Sequence, residues 1–380
     1  MLQNPELHYL DNAATTIVAP EVADVIDKAM REHWANPSSL YGPGARSEEA
    51  LNAARAAVAR TLGCKAKELY FTSCGSESNN LALLGAARTR TFGKDIVVSG
   101  FEHPSVQRPL EDLAKRGYNV TVVKPRADGT LDINEMLEHV GKNTILVACM
   151  MVNNEVGTRN DVERLAAEVK RRNSRTLVHV DAVQAWMRVP IKLDNIDTLA
   201  VSGHKIHAPK GIGALYVKKG IHIPPFMLGG GQEKGFRSGT ESVPLICGFG
   251  AAVKKLAPNV SANFEKAADI QAYLIEKCNE NGDVFVNSRK GGSPYVTSIA
   301  VKGLKSEVLL HYLEKREIYV SSGSACSKGK KSSVLKEFRY PEQSLDSTIR
   351  ISFSIDTTKA DIDALMEGIK SAQNDLCKVR

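Results

Sequence analysis

The chain has 380 residues and a mass of 41.3 kDa, with 50 Lys+Arg against 43 Asp+Glu and a formal net charge of +7. A hydrophobic content of 43% beside 24% charged residues excludes a disordered chain, and the length suits two domains. Seven cysteines with no CxxC pair exclude a disulfide framework and a zinc cluster, and they point to a reducing compartment.

From the N-terminus, the first helix predicted is Glu48–Leu62, rich in Ala, Leu and Arg and stopped by Gly63. Strands follow at Glu68–Thr72, Asp95–Ser99, Asn119–Val123, Thr144–Val152, Thr176–Val180, Thr198–Ser202 and Gly213–Val217. Helices Ser105–Arg116 and Val162–Arg172 lie between them, the second with Asp161 as its N-cap. Such alternation predicts a mainly parallel sheet covered by helices on both faces. The Gly-rich stretch from Gly229 to Gly239 is too short for a linker and reads as an ordered loop. After about residue 255 the pattern changes. A long helix over Lys254–Asn281 precedes strands Tyr295–Val301, Ile318–Ser321 and Thr348–Ser354, with helices at Lys305–Arg316 and Thr358–Leu376. This second part reads as a smaller α+β domain.

The apolar run Ile145–Val152 is far short of the roughly 20 residues a bilayer demands. The first residues, Met1 to Glu6, lack the basic and apolar regions of a signal peptide, so the cytoplasm is the expected location. The positive excess is too dilute, and aromatics at 6% too few, for a nucleic-acid surface.

Four segments carry chemistry. Ser73 to Asn80 joins a strand to a helix through small residues, which offers helix N-terminal amides to an anion; a plain N-cap is the simpler reading. Asp181 closes the strand motif Val178-His179-Val180-Asp181, where a carboxylate serves a metal, a ribose, a protonated heterocyclic nitrogen or merely a helix cap. Lys205 in Ser202-Gly203-His204-Lys205 is a candidate Schiff-base amine, or else a surface lysine. Cys326 sits in Ser321-Ser322-Gly323-Ser324-Ala325-Cys326, with Lys328, Lys330 and Lys331 behind it. That small, polar, electropositive setting favours a thiolate, whereas the other six cysteines read as buried and inert.

Together these segments resemble the cysteine desulfurases of the NifS and IscS type, in the class-V aminotransferase family of pyridoxal-phosphate enzymes. The resemblance spans nearly the whole chain and keeps the motif order. It runs from Tyr9–Thr16 and Asn36–Ser39 through Phe71-Thr72-Ser73, Glu102-His103 and Val152–Gly157. It continues through Val180–Gln184, Ser202–Lys205, Arg237–Thr240, Ser321–Cys326 and Ile349–Ser352. It implies the type I fold of pyridoxal-phosphate transferases, with a large cofactor domain over 15–255. Residues 1–14 and 256–380 would then form the small domain that carries the Cys326 loop.

The resemblance also assigns roles. Lys205 forms the Schiff base with pyridoxal 5'-phosphate and is the base for the substrate's α-proton. Asp181 pairs with the pyridine nitrogen, His103 stacks on the ring and moves protons, and Gln184 bonds the ring's phenolate oxygen. Gly75, Ser76, Ser202 and His204 hold the phosphate. Thr240 reaches the phosphate of a neighbouring subunit, implying a homodimer with composite sites. Asn36, Asn154 and Arg350 orient L-cysteine, Arg350 as a fork for its carboxylate. Cys326 takes the sulfur as a persulfide and passes it to a protein acceptor, serving iron–sulfur clusters, tRNA thiolation or cofactor synthesis, while L-alanine leaves. No metal is expected. A selenocysteine lyase or another member of the class-V family is the alternative; it would keep Lys205 and Asp181 without needing Cys326. One departure stands out: Cys74-Gly75-Ser76 occupies the place where IscS-type chains usually carry Gly-Ala-Thr.

Overall fold

The computed structural model describes residues 7–126, 128–322, 335 and 346–376. Cys326, Cys377 and the three lysines after Cys326 lie outside the described residues.

The first core forms around a seven-stranded sheet. Its strands are β2 (Leu69–Thr72), β3 (Asp95–Ser99), β4 (Asn119–Val123), β5 (Thr144–Met150), β6 (Leu177–Asp181), β7 (Thr198–Ser202) and β8 (Gly213–Val217). They lie in the order β2-β8-β7-β6-β5-β3-β4. β8 runs against both neighbours, and the other pairs are parallel. Every residue of β5, TILVACM, is buried, as a central strand covered on both faces requires. The cover comes from α2 (Gly42–Leu62), α3 (Gly75–Thr89), α4 (Pro104–Lys115), α6 (Val162–Arg172) and α7 (Val243–Leu256), with α1 (Pro20–Glu32) against α7 and α5 (Ile133–Glu138) beside α6.

The predicted strands match to within two residues at either end, and the helices depart more. α2 starts six residues before the expected Glu48, because Pro43 is accommodated in a first turn. Its end is as expected, with Gly63 in the left-handed region at φ 71°. The single helix expected over Lys254–Asn281 is interrupted. A 3-10 turn, Ala257–Asn259, separates α7 from α8 (Val260–Asn281), since Pro258 offers no amide to continue the ladder.

The second core packs α8, α9 (Ser306–Glu314) and α10 (Lys359–Asp375) against a three-stranded sheet, β9 (Val284–Val286), β10 (Val296–Val301) and β12 (Thr348–Ser352), in the order β12-β10-β9. The N-terminal strand β1 (His8–Tyr9) pairs in parallel with β11 (Ile318–Tyr319), and Leu10 is fully buried in this core. The chain then crosses between the cores. The Ala13 amide donates to Ser352 Oγ at 2.8 Å, and the Thr16 amide to the His204 carbonyl at 2.8 Å. This crossing puts the carbonyls of residues 13 and 14 beside the turn that follows β7.

Candidate active site

The carboxyl ends of β2, β6 and β7 meet at one edge of the sheet, and a cavity of about 210 Å³ opens there. At the end of β2 the Thr72 hydroxyl bonds to Ser78 Oγ at 2.8 Å and to the Cys74 carbonyl at 3.1 Å, which turns the chain sharply into α3. Glu77 secures that turn by accepting the Ser73 amide at 2.6 Å and Arg237 Nε at 3.0 Å. The first-turn amides of α3 have no acceptor within the helix. Gly75 is required by close approach: a Cβ there would lie 2.6 Å from Val183 Cγ2. Opposite, at the end of β7, the Ser202 hydroxyl is buried without a partner among the described residues. Amides without acceptors and a hydroxyl without a partner make an anion cradle. His204 lines it too; burial first, then Lys205 and other cations, brings its pKa down to about 4, so it is neutral there.

The sheet side of the cavity is a network of side chains. Asp181 Oδ1 accepts the Val183 amide at 2.9 Å, and its Oδ2 accepts Asn79 Nδ2 at 2.8 Å. The same Asn79 nitrogen lies 2.8 Å from Ser105 Oγ. His103 is the N-cap of α4, its Nδ1 accepting the Ser105 amide at 3.1 Å with Ser105 Oγ at 2.8 Å. Burial holds the His103 pKa below the usual imidazole value and Lys205 adds to this, with Asp181 opposing. Behind this side Glu102 is buried and accepts the Ser99 hydroxyl and the Met150 amide. Burial pushes its carboxyl up to about 8, so it carries a proton at neutral pH.

Cations line the opposite side. Lys205 Nζ donates to the carbonyls of Ala13 and Ala14 at 2.6 and 2.7 Å. Arg350, on β12 and fully buried, bonds Asp11 Oδ1 at 2.6 Å and the Asn154 carbonyl at 3.0 Å, while its Nε has no partner among the described residues. Gln184 donates to the Ala13 carbonyl at 2.9 Å and accepts Arg188 Nη1 at 2.5 Å. Arg188 is buried and also donates to the Lys205 carbonyl at 3.0 Å.

The structure therefore brings together Lys205, Asp181, His103, Gln184, Gly75, Ser76, Asn154, Ser202, His204 and Arg350 around one cavity. It leaves Asn36 and Thr240 exposed and outside that lining. The sequence reading missed Asn79, Ser105, Asp11 and Arg188. Asn79 lay in plain sight in the segment 73–80, but a buried amide on a helix gives no sequence signal for its partner 102 residues away. The five other cysteines among the described residues are less uniform than expected. Cys149 and Cys278 are buried, whereas Cys64, Cys74 and Cys247 are half-buried. Burial still raises the thiols of Cys64, Cys149, Cys247 and Cys278. Cys74 lines the cavity.

The family model for class-V aminotransferases matches residues 8–365. A cysteine desulfurase of Trichormus azollae is similar at 39% identity over 370 residues, 94% of this chain and 91% of that one. The cysteine desulfurase IscS of Dictyoglomus turgidum is 34% identical over 366 residues, covering 94% and 92%. Among solved structures, a NifS-like protein superposes with a TM-score of 0.91 at 32% identity, covering 97% of this chain and 99% of that one.

Proposed function

This chain belongs to the class-V aminotransferase family, in its cysteine desulfurase branch, and from that premise we propose that the cavity takes pyridoxal 5'-phosphate and L-cysteine and delivers sulfur to Cys326. Enzymes of this family depend on pyridoxal phosphate in general. The residues fit that group. The anion cradle of α3 and Ser202 suits a phosphate, Asp181 suits a ring nitrogen that must stay protonated, and Lys205 supplies the amine for attachment. The observation that carries the reading is the meeting of cradle, carboxylate and amine around one cavity.

When bound, pyridoxal phosphate supplies an electron sink for bonds at the substrate's α-carbon. The protein's own part follows from its groups. Arg350 binds the α-carboxylate, with Nε available and Asp11 holding the other end of the guanidinium. Lys205 Nζ, which donates to two backbone carbonyls, moves off them to take the α-proton and later returns it. Asn154 lies beside Arg350 and Gln184 beside Ala13, each placed to fix one edge of the reactants. At Cys326 an S–S bond forms as the substrate's Cβ–S bond breaks. The thiol proton ends on the three-carbon product, which leaves as L-alanine, and no oxidant is needed.

We extend the proposal to a homodimer in the cytoplasm. Thr240 and Asn36 are exposed and outside the cavity, consistent with service to a partner's site. Trp34, Leu40 and Tyr41, near Asn36, and Met227 and Leu228, on the loop whose Met227 carbonyl accepts the Ser238 amide, are exposed apolar side chains, and a second copy would cover them. Among the described residues no helix is long and apolar enough to cross a membrane. The sulfur acceptor is proposed to be a protein, drawn to Cys326 by the basic residues that follow it.

The test is direct. Protein purified with pyridoxal phosphate is expected to show the cofactor's visible absorption, to form alanine from L-cysteine and to carry a persulfide on Cys326 by mass spectrometry. Lys205→Ala is expected to lose covalent attachment, and Cys326→Ser to retain cofactor without persulfide. A wild type that stays colourless after reconstitution would overturn the reading.

A further inference from the structure

Asn79 lies on the second turn of α3 and is fully buried. Its amide has two ends, and the neighbours decide which is which. A carboxylate only accepts hydrogen bonds, so the end 2.8 Å from Asp181 Oδ2 is the NH2 group. That nitrogen has two N–H bonds. One goes to Asp181, and the second goes to Ser105 Oγ at 2.8 Å. The Asn79 carbonyl oxygen then faces His179 Nε2 at 3.0 Å and must accept from it. His179 is buried and neutral, its pKa brought down by burial to about 3, so its Nδ1 accepts the Thr198 hydroxyl at 2.9 Å. Each donor in this series has its direction fixed by the one before it.

The consequence falls on His103. Ser105 Oγ receives the Asn79 proton, so its own proton is free for His103 Nδ1 at 2.8 Å. The Ser105 backbone amide donates to the same nitrogen at 3.1 Å. A ring nitrogen that receives two donors carries a lone pair, so the proton of the neutral imidazole sits on Nε2.

Resting on the reading that this cavity binds pyridoxal phosphate, we propose that Asn79 is a positioning residue of the reaction. It holds the Asp181 carboxylate with one N–H and, through Ser105, fixes the His103 tautomer with the other. His103 then works as a hydrogen-bond donor at Nε2, and Lys205 is left as the base. Asn79 touches no reacting atom itself. It locks two groups that act on the ring of the cofactor, the one from β6 and the other from the start of α4, into a single arrangement.

The experiment uses protein labelled with ¹⁵N-histidine, with and without pyridoxal phosphate. The ring nitrogen shifts of His103, assigned by their loss in His103→Gln, report the tautomer directly. The wild type is expected to show Nε2–H in both forms. Asn79→Asp is nearly isosteric but offers Ser105 no donor and sets a second carboxylate against Asp181. It is expected to change the His103 shifts, to alter the visible absorption of bound cofactor and to lower kcat roughly 10- to 100-fold, as loss of an orienting partner does, with KM for L-cysteine little changed. A wild-type Nδ1–H tautomer would overturn the proposal, as would Asn79→Asp with unaltered shifts and absorption. The wild-type measurement needs no Asn79 variant to fold, so it decides alone if that variant is unstable. It also reads the ligand-free protein, so a failure to bind pyridoxal phosphate and a failure of the Asn79 arrangement appear as separate results.

Discussion

The two sides of the cavity handle buried ionisable groups in opposite ways. On the sheet side, burial neutralises Glu102 and His179: the Glu102 carboxyl is pushed up to about 8 and the His179 imidazole down to about 3. Side chains there bond to side chains, in the run from Thr198 through His179 and Asn79 to Asp181. On the opposite side the groups stay charged. Burial brings Arg188 only to about 10, and arginine keeps its proton in any case. Those cations are held by carbonyls of residues 12–14, 154 and 205 and by Asp11. The lesson is one of function. A group that must hold a fixed orientation sits in a directional network deep in the sheet. A group proposed to move or to meet a charged substrate sits on backbone dipoles that it can exchange for a ligand.

The largest effect that would test this contrast is on stability. Glu102 binds a proton in the fold that the unfolded chain releases above its ordinary value of 4.5. Between that value and about 8 the native state holds the extra proton, so stability falls as pH rises through this window. The slope is at most about 1.4 kcal/mol per pH unit, and several kcal/mol accumulate across the window. Glu102→Gln keeps an oxygen for the Ser99 and Met150 donors, so urea midpoints measured from pH 4.5 to 8 are expected to lose that decline. An unchanged slope would mean that the sheet side does not hold its acid neutral.

A smaller effect tests the other side. Arg350→Ala removes the charged donor proposed for the substrate carboxylate and leaves Asp11 without a counter-charge. Loss of a hydrogen bond to a charged group, roughly 1.5–3 kcal/mol, predicts a rise of about 10- to 150-fold in KM for L-cysteine. The absorption of bound cofactor should be unaltered. A changed absorption with unchanged KM would assign Arg350 to the cofactor instead.

The smallest concerns the cradle between the two sides. Gly75→Ala forces a Cβ toward Val183, and relief by a small shift of Val183 costs about 1 kcal/mol. Cofactor dissociation measured by fluorescence should weaken by about tenfold or less, with the thermal midpoint lowered by a few degrees. Full affinity in Gly75→Ala would show that the α3 amides do not approach the phosphate closely.

Much of this was legible in the residues. Alternating strand and helix patterns gave the parallel sheet, and the ends of two strands marked Asp181 and Ser202, because a strand's period and its stop are local properties. Lys205 was legible for the same reason, three residues past a strand end. Gly63 announced a helix end because only the left-handed region suits that position. The α7–α8 break has a local cause in Pro258, which the longer apolar periodicity of Lys254–Asn281 hides.

What the sequence determined by itself, then, was most of what neighbours along the chain set: the sheet strands, several helices and the chemical types at strand ends, though not α1, α5, β1 or β9. Only the tertiary structure decided which groups meet. Arg350 and Asp11 are separated by 339 residues and bond at 2.6 Å, because β1 and β12 are drawn to the same core. Asn79, Ser105 and His103 share protons because α3 packs beside α4 at the end of β6. Hydrogen-bond direction depends on which acceptor stands within 3 Å of a donor, and that is a property of packing rather than of sequence order.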